Sequence, residues 1–437
     1  MKKIFIVFFV ILSIFNSCFS QSWNLLPNSP IASWRHDDIS FINADTGWVV
    51  NVDGYIYKTT DGGNNWNNQL YQPNTSFRCV GFANKNKGWA GNLGIGNWSP
   101  TVDTLPLYQT NDGGINWFPA TNINGPLPKG LCGISVVSDS VVYAVGRVGG
   151  PAFIIRTSNG GQSWSSVVAP SPISSLVDCK FFSKDTGFIA GSVGTGNLER
   201  AAIYYTTNGG QSWQPVYTAT NLRASCWKLN FPSRTFGYSS VEVWNGQDSM
   251  PVLKTSNGGL TWTEKLFSIP QYWSQGIGFV NDTLGWCGAN PGQVKKTSDG
   301  GNSWTTTPFV ANFNRLRRIN DTTAYASGQR IWKYSKNSTL SMNEISPTLK
   351  GLKLEQNYPN PFVEKTIIKY HTPKTGQVFL KLYDWTGRPI RTMVNEVQSE
   401  GWHEVEISLQ YNSDANFYYS LNFEGLFVTK KAIMIKK

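Results

Sequence analysis

The side chains that could bind an anion are five basic residues on strands that repeat along the chain. They are Arg78, Lys228, Arg315, Arg317 and Arg318. Basic groups that meet at the mouth of a channel concentrate anions there, so an anionic ligand or partner is one interpretation. The alternative is a set of solvated or ion-paired arginines, with Asp37, Asp38 or Asp178 as partners.

Acid–base chemistry has few candidate residues. Between residues 21 and 335 the glutamates are Glu199, Glu242 and Glu264, and glycoside hydrolysis needs two carboxyl groups that flank the scissile bond. Spacing alone does not exclude such a pair, because several repeats can contribute to one site. The sequence has no Gly-x-Ser-x-Gly elbow and no glycine-rich phosphate loop, so neither a serine nucleophile nor a nucleotide site is predicted.

No metal site and no cofactor are predicted. His36 is the single histidine of this region, and no Cys-x-x-Cys pair occurs, so the clustered ligands of a zinc site are missing. The cysteines are interpreted as small buried hydrophobes, with one disulfide as the alternative. Apart from Cys18, they are Cys79, Cys132, Cys179, Cys226 and Cys287.

Three long segments between strands could carry recognition residues. They are residues 92–106, 192–200 and 242–251, and Trp98 and Trp244 are their candidate binding residues. Loops on a rigid scaffold often carry recognition. Tolerance of insertions explains the same segments, so both interpretations stay open.

A repeated phrase predicts the scaffold that holds these residues. Thr-x-Asp/Asn-Gly-Gly-x-x-Trp occurs six times, and successive tryptophans lie 42 to 51 residues apart. The Asp or Asn can bond the backbone two residues on, and the glycines allow the positive φ of a tight turn. Such a period indicates one repeated supersecondary unit. The pairs are Asp61 and Trp66, Asp112 and Trp117, Asn159 and Trp164, Asn208 and Trp213, Asn257 and Trp262, and Asp299 and Trp304.

The phrase resembles the Asp-box of bacterial-neuraminidase-like (BNR) repeats, of sortilin-like propellers and of photosystem II assembly-factor-like propellers. The resemblance implies a β-propeller with four strands per blade in which the boxes are structural. It says little about function, because the motif occurs in sialidases, receptors and assembly factors alike.

A second phrase predicts seven units. It joins an apolar residue to an aromatic one, as in Phe41 to Trp48, and is one residue shorter in the seventh unit, where Arg317 occupies the apolar slot of the inner strand. Six boxes leave one outer strand missing. Because Gln21-Ser22-Trp23 repeats the tail of two boxes, it is predicted to pair near residues 319 to 334 and to close the ring. The predicted fold class is all-β, with a seven-bladed β-propeller over residues 21–335.

The N-terminus and the charge bear on location and partners. Residues 1–20 are typical of a secretory signal peptide, with Lys2-Lys3 before a short apolar run, although lipidation at Cys18 is an alternative. The net charge of +11 is spread without long basic runs. Because no nucleic-acid-binding motif accompanies it, no nucleic-acid partner is predicted.

Residues 336–351 are predicted to be a linker, and residues 352–437 a small immunoglobulin-like β-sandwich with period-two strands and Pro, Gly and Asn turns. The latter segment resembles the type A C-terminal sorting domain of the type IX secretion system. The resemblance rests on Gln356-Asn357-Tyr358-Pro359-Asn360-Pro361-Phe362 and on Tyr383-Asp384 followed by Gly387-Arg388. It implies export through the outer membrane by the type IX machinery.

The resemblances imply two functions. A sialidase-like chain would carry an early Arg-Ile-Pro signature, which is missing here. The assembly-factor propellers are similar in repeat length and box spelling, and they hold other proteins without chemistry of their own. We therefore expect a secreted or cell-surface, non-catalytic platform for an extracellular protein or glycan ligand, with outer-membrane surface association left open. A surface glycoside hydrolase, sialidase-like or of another Asp-box family, is the alternative.

Overall fold

The structure is a computed structural model with two compact units, Met1–Thr339 and Leu340–Lys437. It describes residues 21–96, 102–244, 250–268, 273–290, 294–307, 313–320, 322–336, 351–384, 389–409, 415–423 and 426–435. The predicted signal peptide and residues 337–350 of the predicted linker lie outside these ranges. No helix within them is long and apolar enough to cross a membrane.

The first unit is built from antiparallel sheets of consecutive strands. Its first half contains β1 (Gln21–Leu25), β2 (His36–Phe41), β3 (Gly47–Asn51), β4 (Tyr55–Thr59), β5 (Asn67–Tyr71), β6 (Phe77–Phe82), β7 (Gly88–Asn92), β8 (Leu107–Thr110), β9 (Phe118–Pro119), β10 (Ile123–Asn124), β11 (Gly133–Val136), β12 (Val142–Gly146), β13 (Phe153–Thr157) and β14 (Trp164–Val168). Strands β2–β5, β6–β9 and β11–β14 form three sheets, and the short β10 joins the third alongside β14.

The second half of the unit repeats the pattern. Its strands are β15 (Ile173–Phe181), β16 (Gly187–Val193), β17 (Arg200–Thr206), β18 (Gln214–Thr218), β19 (Ala224–Asn230), β20 (Gly237–Val243), β21 (Met250–Thr255), β22 (Thr263–Ser268), β23 (Trp273–Phe279), β24 (Gly285–Asn290), β25 (Val294–Thr297), β26 (Thr305–Thr307), β27 (Arg315–Arg318), β28 (Thr323–Ser327) and β29 (Ile331–Lys336). Strands β15–β18 and β19–β22 form separate sheets. A 3₁₀-helix, Gly196–Leu198, lies between β16 and β17.

The N-terminal strand completes the last sheet. β1 pairs antiparallel with β29 and places Trp23 opposite Tyr334, which confirms the pairing predicted from the Gln-Ser-Trp repeat. The resulting four strands join β23–β26 through one parallel bridge, Ile277 to Arg315. Each inner strand, meaning the first strand of each sheet, contacts the inner strand of the next sheet, and β27 contacts β2. The sheets therefore form a closed ring.

Stacked rings join neighbouring sheets. At five junctions the aromatic residue of one sheet stacks on the phenylalanine at the end of the next inner strand, as Trp48 does on Phe82, with ring centroids 3.5 Å apart. The first and last sheets are joined in the same way, because Tyr325 stacks on Phe41 at 3.7 Å. The box tryptophan then packs edge-on against that phenylalanine, as Trp117 does on Phe82 at 5.8 Å. The two sequence phrases therefore meet in one contact.

The box turn depends on its threonine, a role that the sequence analysis missed. Thr59 Oγ1 accepts a hydrogen bond from Gly63 N and donates one to Asp61 Oδ1, both at 2.9 Å. Asp61 Oδ1 also accepts from Asn65 N at 2.9 Å. Asp61 thus bonds the backbone four residues on and not, as predicted, two residues on. Gly62 and Gly63 between them both have positive φ. The other five boxes repeat this bond.

The two ends of the ring differ. The inner strands start at one end, beside the loops that join second to third strands, and we call this end the loop face. They finish at the turn face, where Gly62 N of the box turn donates to Asp45 O of the turn after β2 at 2.9 Å. The three long segments all follow the second strand of a sheet, so their described parts lie at the loop face.

The seventh inner strand corrects one prediction. Arg317 lies opposite Tyr325, in the register that Ser40 has opposite Trp48. The apolar slot therefore belongs to Leu316, which is buried. The prediction was one residue off because Arg318, opposite Ala324, has the register of Phe41 opposite Gly47, so the segment before Tyr325 is as long as the segment before Trp48.

The second unit consists of two sheets around one apolar core. Its strands are β30 (Lys353–Leu354), β31 (Lys365–Thr372), β32 (Gly376–Asp384), β33 (Pro389–Gln398), β34 (Gly401–Ser408), β35 (Ala415–Phe423) and β36 (Leu426–Met434). One sheet has the order β30-β31-β34 and the other β33-β32-β35-β36. Side chains of both sheets, such as Ile368, Leu380 and Leu421, share the core. In its opening segment Tyr419 Oη accepts from Asn357 N at 2.7 Å.

Candidate functional site

β-Bulges interrupt five of the inner strands. Four of these strands skip one residue in their pairing with the second strand, and β15 skips two. A bulge re-aims the extra side chain and breaks the period-two alternation. The skipped residues are Asp37, Arg78, Ser174, Val177, Trp227 and Gln275.

An ion-pair cluster fills the middle of the channel. Asp37 Oδ1 accepts from Arg35 Nε at 3.0 Å and from Arg78 Nη1 at 2.5 Å. Arg315 donates from Nε to Asp38 at 3.0 Å and makes two further bonds to Asp178. All six side chains are buried. The ion-paired interpretation of Arg78 and Arg315 is therefore confirmed.

Lys228 is the exception in this cluster. Its Nζ is buried and has no hydrogen-bond partner among the described residues. Burial lowers the pKa of Lys228 to about 7, and the neighbouring Arg315 charge acts in the same direction. The Lys228 amine is therefore only partly protonated at neutral pH.

The channel is basic at the turn face. A cavity of about 190 Å³ there is lined by Lys180, Arg317 and Arg318 together with apolar and small residues. Arg317 is about one-third exposed and donates to both oxygens of Asp38, at 3.0 and 3.3 Å. Of the five predicted basic residues, two thus reach this mouth, while Arg78, Lys228 and Arg315 lie in the buried cluster.

The loop face carries the larger cavity, of about 500 Å³. We call it the indole cavity, because Trp34, Trp227 and Trp244 line it. Trp34 precedes β2, Trp227 is a bulge residue of β19, and Trp244 follows β20. The other lining residues are Val148, Gly149, Ser175, Glu199, Ser225, Glu242 and Gln275.

Both carboxylates of the indole cavity are held by neighbours. Glu242 Oε2 accepts from Gln275 Nε2 at 2.9 Å. The side-chain oxygen of Gln275, Oε1, accepts from Arg35 Nη1. Burial raises the pKa of Glu242, opposed by the Gln275 hydrogen bond and the charges of Arg35 and Arg78. Glu199 Oε1 accepts from the Ser192 hydroxyl. The cavity thus connects through Arg35 to the ion-pair cluster.

Only part of this cavity was predicted from the sequence. Trp244, a predicted binding residue, lies in the lining, whereas Trp98 lies outside the described residues. Trp34 and Trp227 were missed, and Glu199 and Glu242 were noted only as scarce glutamates. The tryptophans beside the starts of inner strands were the available signal.

The described residues contain no cluster of three or more His, Cys, Asp or Glu placed to hold a metal ion. The five cysteines of this unit are free thiols and buried, and burial raises the pKa of Cys226 to about 12. Thiols with raised pKa values are poor nucleophiles.

Solved β-propeller structures resemble this chain. YCF48 from Cyanidioschyzon merolae aligns with a TM-score of 0.53 at 18% identity, covering 72% of this chain and 98% of its own. YCF48 bound to a D1 peptide aligns with a TM-score of 0.52 at 19% identity, covering 73% and 95%. At this identity the likeness shows the fold alone. The chain contains a β-propeller.

Two longer proteins also align. PorZ, a surface component of the type-IX secretion system of Porphyromonas gingivalis, has a TM-score of 0.51 at 12% identity, covering 92% of this chain and 59% of PorZ. The GH74 xyloglucanase of Xanthomonas campestris has a TM-score of 0.50 at 12% identity, covering 80% and 60%. The chain matches no known family profile and no curated protein.

Proposed function

We propose that this chain is a secreted or cell-surface seven-bladed Asp-box β-propeller that serves as a non-catalytic binding platform for a protein or a glycan. One observation carries the proposal. Three indoles, one preceding β2 and two from the sheet β19–β22, converge with Glu199, Glu242 and Gln275 on one cavity at the loop face. A concave, largely apolar site with a few directed polar groups is the usual form of a ligand site.

The seven blades are inferred from the strand pairings. Five separate sheets, together with the two halves of the sheet that contains β1, make seven sets of four main strands. The N-terminal strand β1 is the fourth strand of the seventh set. A closed ring of this kind has no free inner edge, which suits a rigid platform outside the cell.

Export is the second part of the proposal. Residues 1–20 would act as a signal peptide, and residues 352–437 as an immunoglobulin-like sorting domain for the type IX machinery. The likeness to PorZ supports this part, because it covers 92% of the chain, beyond the 72% that YCF48 covers. Deleting residues 352–437 should leave the propeller in the periplasm of a type IX host, whereas the full chain reaches the medium or cell surface. Export of the deletion variant would contradict the sorting role.

Binding can be tested on the full-length chain with an array of glycans and a panel of extracellular peptides. We expect retention without turnover, and Trp244→Ala should weaken it by about tenfold, the ratio that corresponds to about 1.4 kcal/mol. Trp402→Ala is the matched control, because Trp402 is an exposed tryptophan of the second unit. Unchanged binding by Trp244→Ala would move the site away from the indole cavity.

A glycoside hydrolase is the second candidate, because Glu199 and Glu242 line the same cavity. Two carboxyl groups are the catalytic equipment of most glycosidases, and the raised pKa of Glu242 suits a proton donor. Turnover of a glycan by the full chain, abolished by Glu242→Gln, would favour the enzyme over the platform.

A further inference from the structure

We propose that the indole cavity binds an organic cation, an ammonium group carried on an apolar body. The inference rests on the proposed function and names the ligand chemistry of the same site. For a protein ligand, the group would be a lysine-type side chain. For a glycan ligand, it would be an amino sugar.

The charge of the lining is the first argument. Glu199 and Glu242 are its ionisable residues, and none of the described lining residues is Lys, Arg or His. Arg35 and Arg78 lie nearby, and both donate to Asp37. An anion placed in the cavity would therefore meet two carboxylates and no directly lining base.

The hydrogen bonds of the lining residues also favour a cationic ligand. One N–H of the Gln275 amide donates to Glu242, and the Ser225 hydroxyl donates to the Cys226 carbonyl. Each carboxylate has about four lone-pair sites and no proton to give when ionised. Glu199 accepts hydrogen bonds from Ser175 and Ser192 at Oε1, and Glu242 accepts one from Gln275 at Oε2. The lining thus offers carboxylate oxygens to a positively charged ligand.

The aromatic rings are the third argument. Indole faces attract cations through the ring quadrupole, and aromatic cages recognise ammonium ligands in this way. The rings of this cavity already show the preference, because the Arg35 guanidinium lies 4.4 Å from the Trp34 ring centroid and that of Arg78 lies 6.0 Å from Trp227.

The size of the cavity and the net charge of the chain limit the class of ligand further. A cavity of about 500 Å³ suits a small organic group, whereas a hard metal ion requires six or more oxygen ligands. The net charge of +11 repels polycations at long range. A single ammonium group, held at short range by two carboxylates, fits both limits.

The test compares choline with 3,3-dimethyl-1-butanol, its neutral analogue of the same shape, by calorimetry and tryptophan fluorescence on the full-length chain. We expect choline to bind about tenfold or more tightly than the alcohol. Glu199→Gln should remove most of that preference. Glu264→Gln is the control, because Glu264 is exposed and bonded to Tyr217 outside the cavity. Thermal unfolding of each variant checks that it folds.

The outcomes separate the two proposals. Equal binding of choline and the alcohol would overturn the cation site, as would neutral-glycan binding that Glu199→Gln leaves unchanged, and either would leave the platform standing. Failure of every probe, together with an inert Trp244→Ala, would remove the platform as well. Trp34→Phe supplies a second variant if Glu199→Gln does not fold, and it should lower choline affinity while retaining the fold.

Discussion

Arg315 donates two parallel hydrogen bonds to Asp178, from Nη1 to Oδ2 at 2.7 Å and from Nη2 to Oδ1 at 3.0 Å. The pair joins β27 to β15 across the centre of the ring. The planar guanidinium matches the carboxylate fork, which a lysine could not do. Because Arg315 also bonds Asp38 of β2, one side chain ties three inner strands together.

Arg315→Met should therefore destabilise the propeller strongly. Removing one partner of a buried pair leaves an uncompensated charge, which costs about 3–5 kcal/mol. Urea unfolding followed by tryptophan fluorescence measures the change. Lys184→Met is the control, because Lys184 pairs with Asp185 at the surface and such pairs contribute at most about 1 kcal/mol. Similar losses in both variants would contradict a structural role for the cluster.

Lys228→Met should have the opposite effect. The folded pKa of Lys228 is about 7, below its usual 10.5, so between these values the unfolded chain binds the extra proton and stability rises with pH. Below pH 7 Lys228 is charged in the folded chain, and the full cost of burying that charge lowers the stability. Methionine removes it and should stabilise the chain by about 1–4 kcal/mol at pH 7.

The difference between Lys228→Met and the unsubstituted chain should shrink as pH rises from 7 towards 10.5. Urea titrations at several pH values measure it, and the tyrosines and cysteines that titrate in the same range are common to both proteins. A destabilised variant, or a difference that does not change with pH, would show that the ammonium has an unrecognised partner.

The sequence predicted the repeated sheets better than it predicted the side chains in the central channel. Spacing and the Gln-Ser-Trp tail predicted that Trp23 would lie beside the final strand, as it does opposite Tyr334, because turns and strand edges are local signals. The channel depends on bulges, which insert one residue and shift the alternation, so Trp227 and Gln275 could not be assigned inward by counting. Arg315 and Asp178, 137 residues apart, are joined only by ring closure.

The closing strand gives the third prediction. Trp23 packs against Trp286 and Tyr334, with ring centroids 5.3 and 5.4 Å away. Trp23→Ala should cost about 3 kcal/mol, at the lower end for buried aromatic residues because Trp23 is only partly buried. Leu25→Ala, at a side chain that is 40% exposed, should cost little in the same urea assay. Equal costs would contradict the closing role of Trp23.

The cysteines give a fourth prediction. Cys79, Cys132, Cys179, Cys226 and Cys287 are buried free thiols, so a thiol reagent such as DTNB should react with them slowly in the native chain and rapidly in denaturant. Reductant should leave the unfolding midpoint unchanged, because no disulfide links these residues. A midpoint that falls on reduction would contradict this assignment.

The box glycines allow backbone strain to be separated from packing. Gly161 has φ +85°, and an added Cβ would lie 2.7 Å from Trp89 Nε1. Gly196 also has positive φ, +60°, but an added Cβ would meet nothing within 4 Å. Gly196→Ala should therefore cost about 1–2 kcal/mol from strain alone, whereas Gly161→Ala adds about 1–3 kcal/mol for the clash.

Trp164→Ala belongs to the same test. Trp164 is buried and packs edge-on against Trp89 at 6.3 Å, so its removal should cost about 3–5 kcal/mol. These box positions lie at the turn face, away from the indole cavity, so ligand affinity measured below the unfolding transition should not change. Equal costs for Gly161→Ala and Gly196→Ala would mean that the box acts through turn conformation alone. A larger cost at Gly161 would mean that the turn is also a packing surface between neighbouring sheets.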